Sequence, residues 1–113
     1  WHSAQGILAL VSSIRSAPIE PGMPVPEILV LAPPPIQTPR GPIAPKFAGG
    51  ERKCLGLADA YRQVCADAAC HFFDVGTVTR SSAVDGVHLD LDQHAALGRA
   101  MADVVRPLLN PGP

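Results

Sequence analysis

Ile28-Leu29-Val30-Leu31-Ala32, closed by Pro33-Pro34-Pro35, decides the fold of this chain. The run is short, wholly apolar and rich in β-branched residues, which is the pattern of a strand buried on both faces. Three consecutive prolines, none able to donate to a sheet ladder, end it sharply. His71-Phe72-Phe73-Asp74-Val75 reads as a second strand. Between the two, helical periodicity runs from Glu51 to about Ala68, with Cys54, Leu57, Ala58, Tyr61, Val64 and Cys65 on one side. A strand, a helix and a second strand imply a right-handed βαβ unit with parallel pairing.

Further out, residues 3–16 form a helical pattern through Ile7, Leu8, Leu10, Val11 and Ile14, with Ser3 as N-cap. Pro18, Pro21, Pro24 and Pro26 then forbid helix and make a stiff connector. A final helix is expected from about Leu91 to Arg106, with Asp90 as N-cap and Gln93 at the capping-box position. Leu97, Met101, Val104, Val105 and Leu108 supply its buried side. The order is helix, strand, helix, strand, helix: an α/β chain. Parallel sheets need both faces covered, and two strands make a marginal sheet. The edge of the first strand asks for more strands, from another chain or from an N-terminal half.

At 113 residues the chain is at most one domain, residues 1–113. Hydrophobic residues are 47% and charged ones 17%, a globular composition. Nine basic and ten acidic residues are dispersed to a net charge of -1, which argues against a nucleic-acid groove or an anionic membrane surface. The apolar runs are too short to span a bilayer. Three cysteines, Cys54, Cys65 and Cys70, lack metal-ligand spacing and read as reduced, core-filling thiols rather than a Cys65–Cys70 bridge. That usage suits a reducing cytoplasm. Trp1-His2-Ser3 has neither an initiator Met nor a signal-peptide core, and reads as a cut end within a longer protein.

The chemistry concentrates in Asp85-Gly86-Val87-His88. An acid three residues before an imidazole on a tight turn can accept the Nδ1–H, fix the tautomer and free Nε2 as a proton acceptor. Both long loops, 33–50 and 76–88, leave the carboxyl ends of the strands, where open α/β sheets bind ligands. Pro34, Pro35, Ile43, Phe47 and Val87 are candidate walls of an apolar pocket. The Pro-rich loop serves equally as a contact between copies of the chain. A metal site from Asp85, His88, Asp90 and Asp92 fits no usual ligand spacing, so no metal and no cofactor are expected. His94 reads as a helix-surface residue, and His71 and His2 have no evident partner.

These residues carry a resemblance. Asp85-Gly86-Val87-His88-Leu89, with Asp90-Leu91-Asp92-Gln93-His94 and Ala95-Ala96-Leu97-Gly98 after it, resembles the last conserved block of the SGNH (GDSL-type) esterases. Ile28 to Pro35, Phe47-Ala48-Gly49-Gly50-Glu51 and Phe72-Phe73-Asp74-Val75-Gly76 are similar to the arylesterase and acyltransferase branch. The resemblance covers roughly residues 27–109. It implies a flavodoxin-like three-layer parallel sheet, of which this chain supplies the C-terminal part. It also implies cleavage of short-chain or aryl esters through an acyl-serine, with Asp85 orienting His88 as the base. The family's Gly-Asp-Ser block and its oxyanion-hole Gly and Asn have no counterpart here. Ser12, Ser13 and Ser16 lie on a helix, and Ser81 and Ser82 in a loop without the strand-to-turn context. The implied partner is thus an N-terminal fragment of the same enzyme that carries the nucleophile, and the isolated chain is expected to be inactive. A non-catalytic interaction module using the strand edge and the Pro-rich loop is the alternative.

Overall fold

A computed structural model describes residues 2–17 and 20–110. Pro18, where the sequence ends the first helix, and Trp1, at the expected cut end, lie outside these residues. The elements run α1 (His2–Ser16), β1 (Leu29–Ala32), a 3₁₀ segment (Gly41–Phe47), α2 (Gly50–Lys53), α3 (Leu57–Asp67), β2 (His71–Asp74), a 3₁₀ turn (Val75–Thr77) and α4 (Leu91–Leu109). The strand order among the described residues is β1-β2, a small parallel sheet in a mixed helix–strand chain. The α/β expectation holds at that level.

The chain divides into two compact units, residues 1–32 with 56–73, and residues 33–55 with 74–113. In the first, Ala4 of α1, Val30 and Ala32 of β1, and Tyr61, Val64 and Cys65 of α3 form one buried cluster. Ile7, Ile28, Leu57 and Phe72 pack against it, so the Leu57–Cys65 stripe of α3 read from the sequence is the one that is buried, whereas Leu8, Leu10 and Ile14 of α1 are exposed. Tyr61 takes its hydroxyl into this core by pairing it with Ser3 Oγ. Helix α3 ends in a Schellman motif. Ala69 takes a left-handed φ of 55°, Cys70 N–H donates to Cys65 O at 2.8 Å, and Ala69 N–H donates to Ala66 O at 3.3 Å. The Arg15 guanidinium donates to the carbonyls of Ala68 and Ala69 just beyond the helix. His71 finds the partner its sequence context did not show, with Nε2 2.9 Å from Glu27 Oε2.

The single helix expected over 51–68 is two helices. Gly56 adopts φ 76°, and the chain turns at 54–56 before α3 begins. Apolar periodicity continues across this break and does not report the sign of one φ, which is why the sequence reading merged the pieces.

In the second unit, Val75, Thr79, Ser81, Ser82 and Gln93 are buried. Helix α4 runs to Leu109 and includes Pro107, three residues past its expected end. Asp90 sits at its N-cap with extended φ/ψ, as expected, but no side-chain capping bond forms there. The capping-box role of Gln93 is also corrected. Its Oε1 accepts from Arg80 N–H at 2.9 Å, so the amide serves the preceding loop instead of the helix end. Asp92 supplies an acid in the first turn, where the positive end of the helix dipole favours it.

Candidate active site

The 81–88 segment is a loop held by main-chain bonds. Ser82 N–H donates to His88 O at 2.7 Å, and Gly86 N–H donates to Ser82 O at 2.7 Å, closing the turn on itself. The segment after the prolines then binds it from outside. Gln37 N–H reaches Gly86 O at 2.8 Å, and Arg40 N–H reaches Asp85 O at 2.9 Å. Arg40 also donates from its guanidinium to Ala83 O at 2.9 Å. Gly86 is required where it stands: its φ is 79°, and a Cβ there would lie 2.5 Å from Thr38 O.

This turn brings the two predicted catalytic side chains together. Asp85 Oδ2 lies 2.6 Å from His88 Nδ1. Oδ1 is occupied separately, accepting from Val87 N–H at 2.8 Å and His88 N–H at 3.0 Å. One oxygen thus builds an Asx-type turn and the other meets the ring. The Val87 N–H, then the His88 ring, then the His88 N–H lower the Asp85 carboxyl from 3.8 to about 2. It is therefore an anion at any working pH. The ring of His88 is two-thirds exposed, and among the described residues Nε2 has no hydrogen-bond partner.

The five pocket candidates all belong to the same unit as the pair. Pro34 and Pro35 lie against Gly76, where an added Cβ would be 3.5 Å from Pro34 Cα and 3.2 Å from Pro35 Cδ. Ile43 and Phe47 are half-buried on the 3₁₀ segment, and the Lys46 ammonium stands 5.8 Å from the Phe47 ring centre. Val87 is half-buried between the two catalytic candidates in sequence. The serines of this unit are already committed. Ser81 Oγ donates to Pro35 O at 2.8 Å, and Ser82 Oγ accepts from Val84 N–H at 3.0 Å. Both serines are nearly fully buried, which leaves neither as a hydroxyl for the ring to activate. His94 is exposed on α4. Among the described residues no group of three or more His, Cys, Asp or Glu side chains is arranged to hold a metal ion.

What the sequence reading missed is the outer clasp from Gln37 and Arg40. Neither residue belongs to a periodic pattern or a charge cluster. Their place forty-odd residues upstream leaves no local signal.

The site is thus an acid–imidazole pair on a turn after β2 of an α/β chain. Similarity to solved structures narrows the reading. The native M. smegmatis aryl esterase matches at TM-score 0.85 and 33% identity, over 93% of this chain and 50% of its own. A carbohydrate acetylesterase family member from Sinorhizobium meliloti matches at 0.84 and 38%, over 96% and 52%. A putative arylesterase from Agrobacterium tumefaciens matches at 0.79 and 40%, over 91% and 49%. The chain thus spans about half the length of each of these esterases. No family model and no curated protein matches. The resemblance to the arylesterase branch of the SGNH hydrolases, drawn first from the sequence, is borne out by these neighbours.

Proposed function

We propose that the chain is the base-bearing, C-terminal half of an SGNH-type serine ester hydrolase or acyltransferase with a flavodoxin-like three-layer sheet. An N-terminal segment carries the serine and the oxyanion donors. The observation that carries this reading is the 2.6 Å bond between Asp85 Oδ2 and His88 Nδ1, with the far side of the ring exposed.

In the reaction, Asp85 accepts a hydrogen bond from Nδ1–H and so holds that proton on Nδ1, and Nε2 presents a lone pair. His88 Nε2 takes the proton of the serine hydroxyl as the serine oxygen bonds to the ester carbonyl carbon. The carbonyl oxygen becomes an oxyanion, held by donors from the companion segment. When it collapses, the bond to the alcohol oxygen breaks and the alcohol leaves with the proton from His88. Water, or a second alcohol in acyl transfer, then gives its proton to Nε2 and attacks the acyl-serine. The acyl product leaves and the serine regains its proton. Short-chain and aryl esters are the proposed substrates, with Val87, Pro34, Pro35, Ile43 and Phe47 lining the acyl or aryl site.

The test mixes the chain with the complementary half of one of its aryl esterase relatives. Hydrolysis of an aryl acetate and fluorophosphonate labelling of the companion serine should appear only in the mixture. His88→Ala in this chain should lower kcat at least about a thousandfold, as loss of a triad base does. Unchanged turnover in that variant would overturn the assignment. No adduct on either half, with the two halves bound together, would leave the interaction module as the reading.

A further inference from the structure

We propose that Gln37 is the positioning residue of the Asp85–His88 pair and that its side-chain amide sets which nitrogen of His88 carries the proton. Gln37 donates twice to the 81–88 loop, from its N–H to Gly86 O at 2.8 Å and from Nε2 to Ser81 O at 2.7 Å. One residue therefore fixes two carbonyls that flank residues 82–85, the segment that ends in Asp85. Ser81 returns the contact by donating Oγ to Pro35 O at 2.8 Å, and only 2% of Ser81 is exposed. The 35–37 strip and Ser81 are thus clasped in both directions.

The geometry transmits this clasp to the ring. Ser82, joined to Ser81 by one peptide, donates to His88 O and accepts from Gly86 N–H, each at 2.7 Å. Displacement of the Ser81–Ser82 peptide carries the His88 backbone with it. Asp85 has a second anchor, because Arg40 N–H binds its carbonyl at 2.9 Å while its Oδ1 holds the His88 N–H at 3.0 Å. A shift of Ser82 therefore pulls His88 O against the Arg40 anchor, and the strain falls on the bonds between Asp85 and His88, the Oδ2–Nδ1 bond among them. A hydrogen bond weakens steeply as distance and angle leave their narrow optimum. Without the carboxylate as acceptor, the neutral ring reverts towards the Nε2–H tautomer and loses its lone pair on the reacting side. The amide orientation is fixed by the same argument: turned over, it would set its oxygen against the Ser81 carbonyl oxygen.

The inference rests on the proposed function only for its catalytic meaning, since the tautomer is measurable in the chain alone. Imidazole ¹⁵N and downfield ¹H NMR of His88, followed to the alkaline plateau of its chemical shifts, report the Nδ1–H form directly. Gln37→Leu removes the donor, and Gln37→Glu replaces it with an acceptor of the same shape. Both should move the tautomer ratio towards Nε2–H by about tenfold, the equilibrium change one net hydrogen bond carries. Gln37→Lys keeps a donor and should retain the Nδ1–H form. If Gln37→Leu does not fold, the Glu and Lys variants, both charged and soluble, still decide the point. An unchanged His88 spectrum in folded Gln37→Glu overturns the proposal. In the mixed halves, Gln37→Leu should lower kcat with KM held. A tautomer shift without any wild-type turnover would sink the esterase reading and leave the positioning role standing.

Discussion

Asp85 divides its work between two oxygens, and the division has a measurable signature. The largest contribution to its low pKa comes from the Val87 backbone N–H and not from the imidazole. In His88→Ala the carboxyl should therefore still titrate below 3.8, by ¹³C NMR; a return to the ordinary value would show the ring to be the main cause. The sign of the linked stability follows from the depression. The stabilising contribution is complete above about pH 4 and is lost as pH falls towards 2, through the folded value. Gly86→Ala should cost about 1–3 kcal/mol in denaturant unfolding, because a residue with a Cβ is strained at positive φ. The approach of Thr38 O adds to that cost. At this scale the sequence was informative: the Asp-x-x-His spacing and the glycine inside it announce a turn that folds acid onto imidazole. Gln37 was illegible because its partners, Ser81 and Gly86, lie far along the chain.

Among the elements, β1 and β2 were readable to within a residue at each end, because the apolar run of β1 stops at proline and the Phe72-Phe73 pair of β2 is closed two residues on by Val75-Gly76. The helices were readable as stripes but not in their joints. The break at Gly56 and the diversion of Gln93 to Arg80 depend on backbone sign and tertiary partners, neither of which periodicity encodes. The Schellman end of α3 carries its own prediction. All three cysteines are free, and Cys65 is buried within the core. Burial, and secondarily the neighbouring Cys70, push its thiol above the ordinary value. Native Cys65 should resist iodoacetamide at neutral pH while the half-buried Cys54 and Cys70 react faster, by peptide mass mapping. Fast alkylation of Cys65 would mean that the Ala4–Val64 core opens readily.

For the molecule as a whole, the described residues form a two-stranded sheet, and the chain spans about half the length of each esterase neighbour. Among the described residues no helix is long and apolar enough to cross a membrane. The pair, its clasp and the five apolar candidates all fall within residues 33–55 and 74–113, one of the two compact units. Cooperative opening follows such units, so backbone amides that share one should lose protection in a single event. The Gln37, Arg40, Ser82 and Gly86 amides are expected to show one common opening free energy by native-state hydrogen exchange, with the amides of α3 on their own isotherm. A scatter of unrelated values across those four would contradict it. The proposed chemistry would then have an on–off character: thermal breathing of that unit would part Asp85, His88 and the five apolar candidates at once, with no half-formed site between.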